Sequence, residues 1–123
     1  MILIFGGAYQ GKLDYARKHF AAETVSSCVD GLEPDFTADI IDHIEAFADR
    51  QVREGKEPLT FFQEQKDRWC DKILICGDVS QGVVPVSAEE RAFREANGRL
   101  LIYLAGEAEQ VIRVFCGLGK RIK

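Results

Sequence analysis

The chain has 123 residues, and at roughly 100 to 200 residues per domain this length allows one domain, expected over residues 1–123. Its 46% hydrophobic and 29% charged residues suit a globular chain and exclude disordered, collagen-like and coiled-coil classes. Sixteen Lys and Arg against twenty Asp and Glu leave a formal charge of −4, so no global basic field favours nucleic acid or anionic lipid, and any anion site must be local.

Residues 2–5 form a continuous apolar run ended by Gly6-Gly7, the pattern of a strand buried on both faces of a parallel sheet. The run is too short, and lacks the basic flank, for a signal peptide, so it is expected to stay in the mature chain. From Gly11 the spacing turns helical, with Leu13, Ala16 and Phe20 on one face. Residues 24–30 read as a second strand closed by an Asp30-Gly31 turn. After Pro34, Asp35 and Thr37 are candidate caps for a helix with Ile41, Ile44, Ala48 and Val52 as its apolar stripe. Residues 59–69 are ambiguous. Residues 72–78 make the clearest internal strand. Ser87 and Glu90 form a capping box before a helix whose buried face is Ala92, Ala96, Leu100 and Tyr103. Residues 110–116 are the last strand, and Gly117-Leu118-Gly119 leads into a basic tail. Alternating strands and helices predict an α/β fold with a mostly parallel sheet of about four or five strands flanked by helices. No run approaches the roughly 18 apolar residues of a membrane span.

Gly6-Gly7-Ala8-Tyr9-Gln10-Gly11-Lys12 fits GxxxxGK between a buried strand and a helix, which is where a P-loop must sit. Glycines let the backbone curl so that several amide hydrogens and a helix N-terminus face one anion, and Lys12 adds a point charge. Residues 6–13 are therefore the candidate phosphate site. Leu13 stands where the full motif places the Ser or Thr that ligates Mg2+, and a Leu side chain cannot coordinate a metal.

Two carboxylates follow predicted strands. Asp78 would project into the crevice at the carboxyl edge of the sheet, as a magnesium ligand or as acceptor of a hydroxyl proton; Asp30 is a second candidate metal ligand. His19 and His43 both fall in predicted helices, with no base partner evident in the sequence. Cys28, Cys70, Cys76 and Cys116 fit neither a zinc framework nor a dense disulfide scaffold, and read as reduced thiols of a cytoplasmic protein. Cys76 and Cys116, inside apolar runs, read as small buried hydrophobes.

The segments IFGGAYQGKLDYA and GDVSQGVVPVSAEERAFREANGRLLIYLAGEAEQVIRVFCGLGKRIK, residues 4–16 and 77–123, resemble the adenosylcobinamide kinase/adenosylcobinamide-phosphate guanylyltransferase enzymes of the cobalamin pathway. The first looks like that family's strand and GGARSGKS-type P-loop. In the second, GVVP at residues 82–85, Arg94-Glu95, Gly98-Arg99 and Gly117-Leu118-Gly119 keep the family's order and spacing, and Asp78 takes the place of the Glu in its NEVG segment. The resemblance implies a P-loop NTPase-like fold that binds GTP or ATP with Mg2+, phosphorylates the aminopropanol hydroxyl of adenosylcobinamide, and assembles as a homo-oligomer. It also implies transfer of GMP through a guanylylated histidine, yet no segment resembles the HH-x-x-R-P run that carries it, and Ile102-Tyr103 replaces the family's Asn-Gln. The alternatives are a nucleotide-binding regulator or partner protein without transferase activity, and a small-metabolite kinase with another acceptor.

Overall fold

A computed structural model describes residues 1–79 and 87–123. The GVVP segment at residues 82–85 lies outside the described residues. Five strands, β1 (Ile2–Gly6), β2 (Val25–Ser27), β3 (Ile40–Asp42), β4 (Ile73–Gly77) and β5 (Gln110–Phe115), pair in parallel, and β6 (Leu118–Arg121) closes one edge antiparallel to β5. The order is β2-β3-β4-β1-β5-β6, which places β1 at the centre, between β4 and β5. The helices are α1 (Lys12–His19), α2 (Ile44–Arg53), α3 (Pro58–Glu64), α4 (Lys66–Trp69) and α5 (Ala88–Glu107). Among the described residues, no helix is long and apolar enough to cross a membrane.

Successive strand residues face opposite sides, and that period divides the core in two. Leu3, Ile41, Leu74, Cys76 and Val111 pack with Ile44, Phe47 and Ala48 of α2, Phe62 of α3 and Leu100 and Leu104 of α5. Ile4, Ile40, Ile73, Ile75, Ile112 and Val114 face Ala16 of α1, with Leu13, Tyr15 and Phe20 around it. The ambiguous segment resolves into α3 and α4, held by the Trp69 indole N–H, which donates to the Phe62 carbonyl at 2.8 Å inside an aromatic cluster.

Six strands form, against a sheet of about four or five expected and four segments read as strands, and the two additional strands each correct a local reading. Residues 35–39 do not start a helix. Asp35 instead accepts from the Thr37 N–H at 3.0 Å and hydroxyl at 2.7 Å in a turn, and Ile40–Asp42 inserts between β2 and β4. Ile41 and Ile44 satisfy helical spacing, but Ile40 and Ile41 are both fully buried, on opposite faces of the sheet, as a strand between two neighbours allows. The basic tail is likewise β6. All four of its residues are exposed, so it shows no apolar alternation, and its register comes from the Cys116-Gly117 turn, with φ of 51° and 76°.

Two side-chain expectations change with these elements. The Ser87 cap of α5 forms, its hydroxyl accepting from the Glu90 N–H at 3.0 Å, but Ala92 is exposed and the buried face runs through Ala96, Asn97, Leu100 and Leu104. Cys116 is exposed in its turn rather than buried; Cys28 and Cys76 are buried, Cys70 is exposed, and all four thiols are free.

Candidate functional site

Residues 7–11 leave the carboxyl end of the central strand and turn into α1, so the loop lies at the sheet edge where crevices of open α/β sheets form. Gly6 passes so close to β5 that a Cβ there would overlap the Val114 carbonyl oxygen, which restricts the position to glycine. Tyr9 stands fully exposed at φ 59°, and Gly11 enters α1 at φ 85°. The Lys12 ammonium folds back to donate to the Gly7 carbonyl at 2.6 Å. Gln10 ties the loop to the β5–β6 turn: its carbonyl accepts from the Gly117 N–H at 2.8 Å, and its side-chain Oε1 accepts from the Cys116 N–H at 2.7 Å.

A cavity of about 510 Å³ opens on this loop. Ala8, Tyr9, Gln10, Gly11, Lys12 and Leu13 line one part of it, and Asp42, His43, Glu45, Gly77 and Asp78 another. The structure therefore brings Asp78 to the glycine loop, with its N–H donating to the Gly6 carbonyl at 2.8 Å. Asp30 is placed elsewhere. It sits exposed in a 3-10 turn (Val29–Gly31) at φ 60° and does not line the cavity.

Three polar residues at the site escaped the sequence reading. Asp42, at the end of β3, is 5% exposed, and both its oxygens engage the next residue: Oδ1 accepts from the His43 N–H at 2.8 Å, and Oδ2 lies 3.0 Å from His43 Nδ1. His43 is thus not a helix-interior residue without a partner. It precedes α2 at φ 58° with a buried carboxylate against its ring. Glu45 Oε1 accepts from the Gly77 N–H at 2.9 Å, and buried Asn97 donates from Nδ2 to the Gly77 carbonyl at 3.0 Å, so α2 and α5 grip both peptide groups of Gly77, the residue before Asp78. Asp42 was masked by the helical reading of residues 35–52. Asn97 is a polar residue on a helix, with nothing local to mark it as inward-facing.

The electrostatics agree with this convergence. Burial pushes the Cys76 thiol well above its ordinary pKa, with the Glu45 and Asp78 carboxylates adding to the rise and the Lys12 ammonium opposing it. Burial, then Glu45 and Asp42, push the Cys28 thiol up to about 12. Among the described residues, no three His, Cys, Asp or Glu side chains gather as a metal cage. Mg2+ that arrives on a nucleotide needs only one or two carboxylates, with phosphate oxygens and waters completing its shell. Asp42 and Asp78 line the cavity and are carboxylates of the kind that could meet that need; Leu13 is not.

A family model described as cobinamide kinase / cobinamide phosphate guanyltransferase matches residues 36–122. The match takes in Asp42, Asp78 and the β5–β6 hairpin and begins after the glycine loop. No curated protein shows significant similarity to the chain. With most of its length under that match, the chain belongs to the cobinamide kinase / cobinamide phosphate guanyltransferase family.

Proposed function

We propose that this chain binds GTP or ATP at the glycine loop and transfers the γ-phosphoryl group to the hydroxyl of adenosylcobinamide, a kinase step of cobalamin biosynthesis. The observation that carries the reading is one cavity lined both by the glycine loop with Lys12 and by the carboxylates of Asp42 and Asp78. Backbone amides of residues 7–11 and the first turn of α1 take phosphate oxygens, and Lys12 exchanges its Gly7 carbonyl for the charge developing between the β and γ groups. Asp42 and Asp78 would hold Mg2+ or its waters, and the ion would supply charge neutralisation of the phosphates. Asp78 also positions the attacking hydroxyl. The hydroxyl oxygen forms a bond to the γ phosphorus, the bond to the β–γ bridging oxygen breaks, and the nucleoside diphosphate leaves while the hydroxyl proton passes to solvent or carboxylate.

Leu13 favours a second reading, nucleotide binding without transfer. Calorimetric titration with GTP and ATP, each with and without Mg2+, separates the two, with Lys12→Ala as control. Magnesium-dependent binding that weakens by at least about tenfold in Lys12→Ala supports the kinase and justifies assaying adenosylcobinamide. Binding indifferent to Mg2+ supports the second reading. Absence of binding, or equal binding by the variant, overturns the proposal.

A further inference from the structure

Gln10 is bonded twice to a single turn. Its carbonyl accepts from the Gly117 N–H at 2.8 Å and its side-chain Oε1 from the Cys116 N–H at 2.7 Å, and both donors lie between β5 and β6. The turn comes so near the loop that a Cβ on Gly11 would sit 3.4 Å from the Gly117 Cα. On either side of Gln10 the backbone is left-handed, at φ 59° for Tyr9 and 85° for Gly11. Glycine tolerates this conformation, whereas tyrosine is strained in it and keeps it only where the surroundings fix it. The Tyr9 ring is fully exposed, so packing of the ring does not do the fixing. The peptide between Gln10 and Gly11 is trans and planar, so its C=O and N–H point in opposite directions. With the C=O on the Gly117 N–H, the Gly11 N–H is turned away from the hairpin, and Gly11 lines the cavity that Lys12 also lines.

We propose that Gln10 is a positioning residue for phosphate binding, and that it uses the β5–β6 turn as a splint for the glycine loop. The inference rests on the nucleotide-binding reading above and adds what holds the loop in shape before a ligand arrives. A backbone binds an anion when several N–H groups turn to one point, which left-handed residues in a turn produce. Those N–H dipoles repel one another while no anion is present, so the array needs support from outside the loop. The carbonyl bond fixes the direction of the Gly11 N–H. The side-chain bond holds Gln10 itself against rotation and keeps the preceding Tyr9 left-handed. A loop that holds its competent shape for only a fraction of the time binds with its affinity reduced by that fraction. Removing the side-chain bond therefore weakens every ligand that carries the phosphates, whatever its base. By linkage, a phosphate chain bound in the loop makes the bond to the Cys116 N–H more persistent.

The test joins amide hydrogen exchange, followed by NMR, to calorimetry with GTP, ATP and inorganic tripolyphosphate on the full chain. Gln10→Met keeps the length of the side chain and removes the acceptor, whereas Gln10→Glu keeps an acceptor oxygen. In the free protein Gln10→Met is expected to speed exchange of the Cys116 amide by about tenfold, and Gln10→Glu to leave it slow. Gln10→Met is expected to weaken GTP, ATP and tripolyphosphate by one common factor, about threefold to tenfold. In wild type, saturating tripolyphosphate is expected to slow the Cys116 amide further. Faster exchange with unchanged affinity makes the tie structural only and overturns the proposal. So does unchanged exchange in Gln10→Met, or a loss confined to the nucleotides, which places the side chain against the base. The wild-type arm needs no variant: absence of slowing at saturation overturns the proposal even where Gln10→Met melts too low to assay. If wild type binds none of the three ligands, the phosphate-loop reading fails and the proposal with it, an outcome distinct from binding that ignores Gln10.

Discussion

Asn97→Leu tests whether the grip on the end of β4 holds the site together. Asn97 is 1% exposed, its Nδ2 lies 3.0 Å from the Gly77 carbonyl, and its Oδ1 accepts from the Cys76 thiol at 3.5 Å. Leucine keeps the branched shape without the polar atoms but is bulkier, so a modest overpacking cost adds to the electrostatic loss. The buried Gly77 carbonyl loses its amide donor, which costs about 1–3 kcal/mol when no water replaces it. The thiol contact is weak and contributes little. A central value of about 2 kcal/mol lowers the folded/unfolded ratio about thirtyfold and, for a chain of this length, the midpoint by roughly 6–10 °C. Urea unfolding with an unchanged m-value, followed by circular dichroism, reads this directly. Because Asp78 follows the gripped peptide, magnesium-dependent nucleotide binding should weaken in the same variant. A loss below about 0.5 kcal/mol would refute the argument that Asn97 satisfies a buried carbonyl.

Leu13→Ser places a hydroxyl at the first turn of α1, and nucleotide affinity is expected to rise with Mg2+ more steeply than in wild type; an unchanged metal dependence in calorimetry counts against that position as a ligand site. Native protein titrated with a thiol reagent near pH 8 should expose two fast thiols, Cys70 and Cys116, and all four only in denaturant, because Cys28 and Cys76 are buried and their thiolates disfavoured. Backbone hydrogen bonds from the N–H groups of Glu23 and Thr24 hold the Asp39 carboxyl below its usual range. Its folded pKa is lower than its unfolded one, so the stability it contributes is present above the unfolded value, about 3.9, and is lost as pH falls through the folded value. Denaturant titrations from pH 6 to pH 2.5 should show that loss, partly flattened in Asp39→Asn, and an identical slope in the variant would refute the assignment.

The legible parts of this protein are those in which neighbours in sequence share one task. Gly6, Gly7, Gly11 and Lys12 fall within one stretch, residues 6–12, and a buried strand, a glycine turn and a helix start suffice to place them at the sheet edge. Ile73, Leu74 and Ile75 announce a strand buried on both faces, and Ser87 with Glu90 marks the start of α5. These are short-range signals of apolar runs, backbone conformational preference and capping, and they survive without knowledge of the partner elements.

Tertiary structure alone decided the rest. Ile40 and Ile41 fit a helix or a strand by spacing, and became a strand because the slot between β2 and β4 buries both faces. That insertion carried Asp42 and His43 to the edge near Lys12, while Asp30, which the sequence did single out, stayed in a turn outside the cavity. The β6 strand has no apolar face to advertise it, and forms because a two-residue turn folds it back onto β5. Glu45, Asn97 and the side chain of Gln10 act on backbone groups 32, 20 and 106 positions away. Such pairings depend on which elements pack together, and a single polar residue on a helix or in a loop carries no periodicity that would reveal its distant partner.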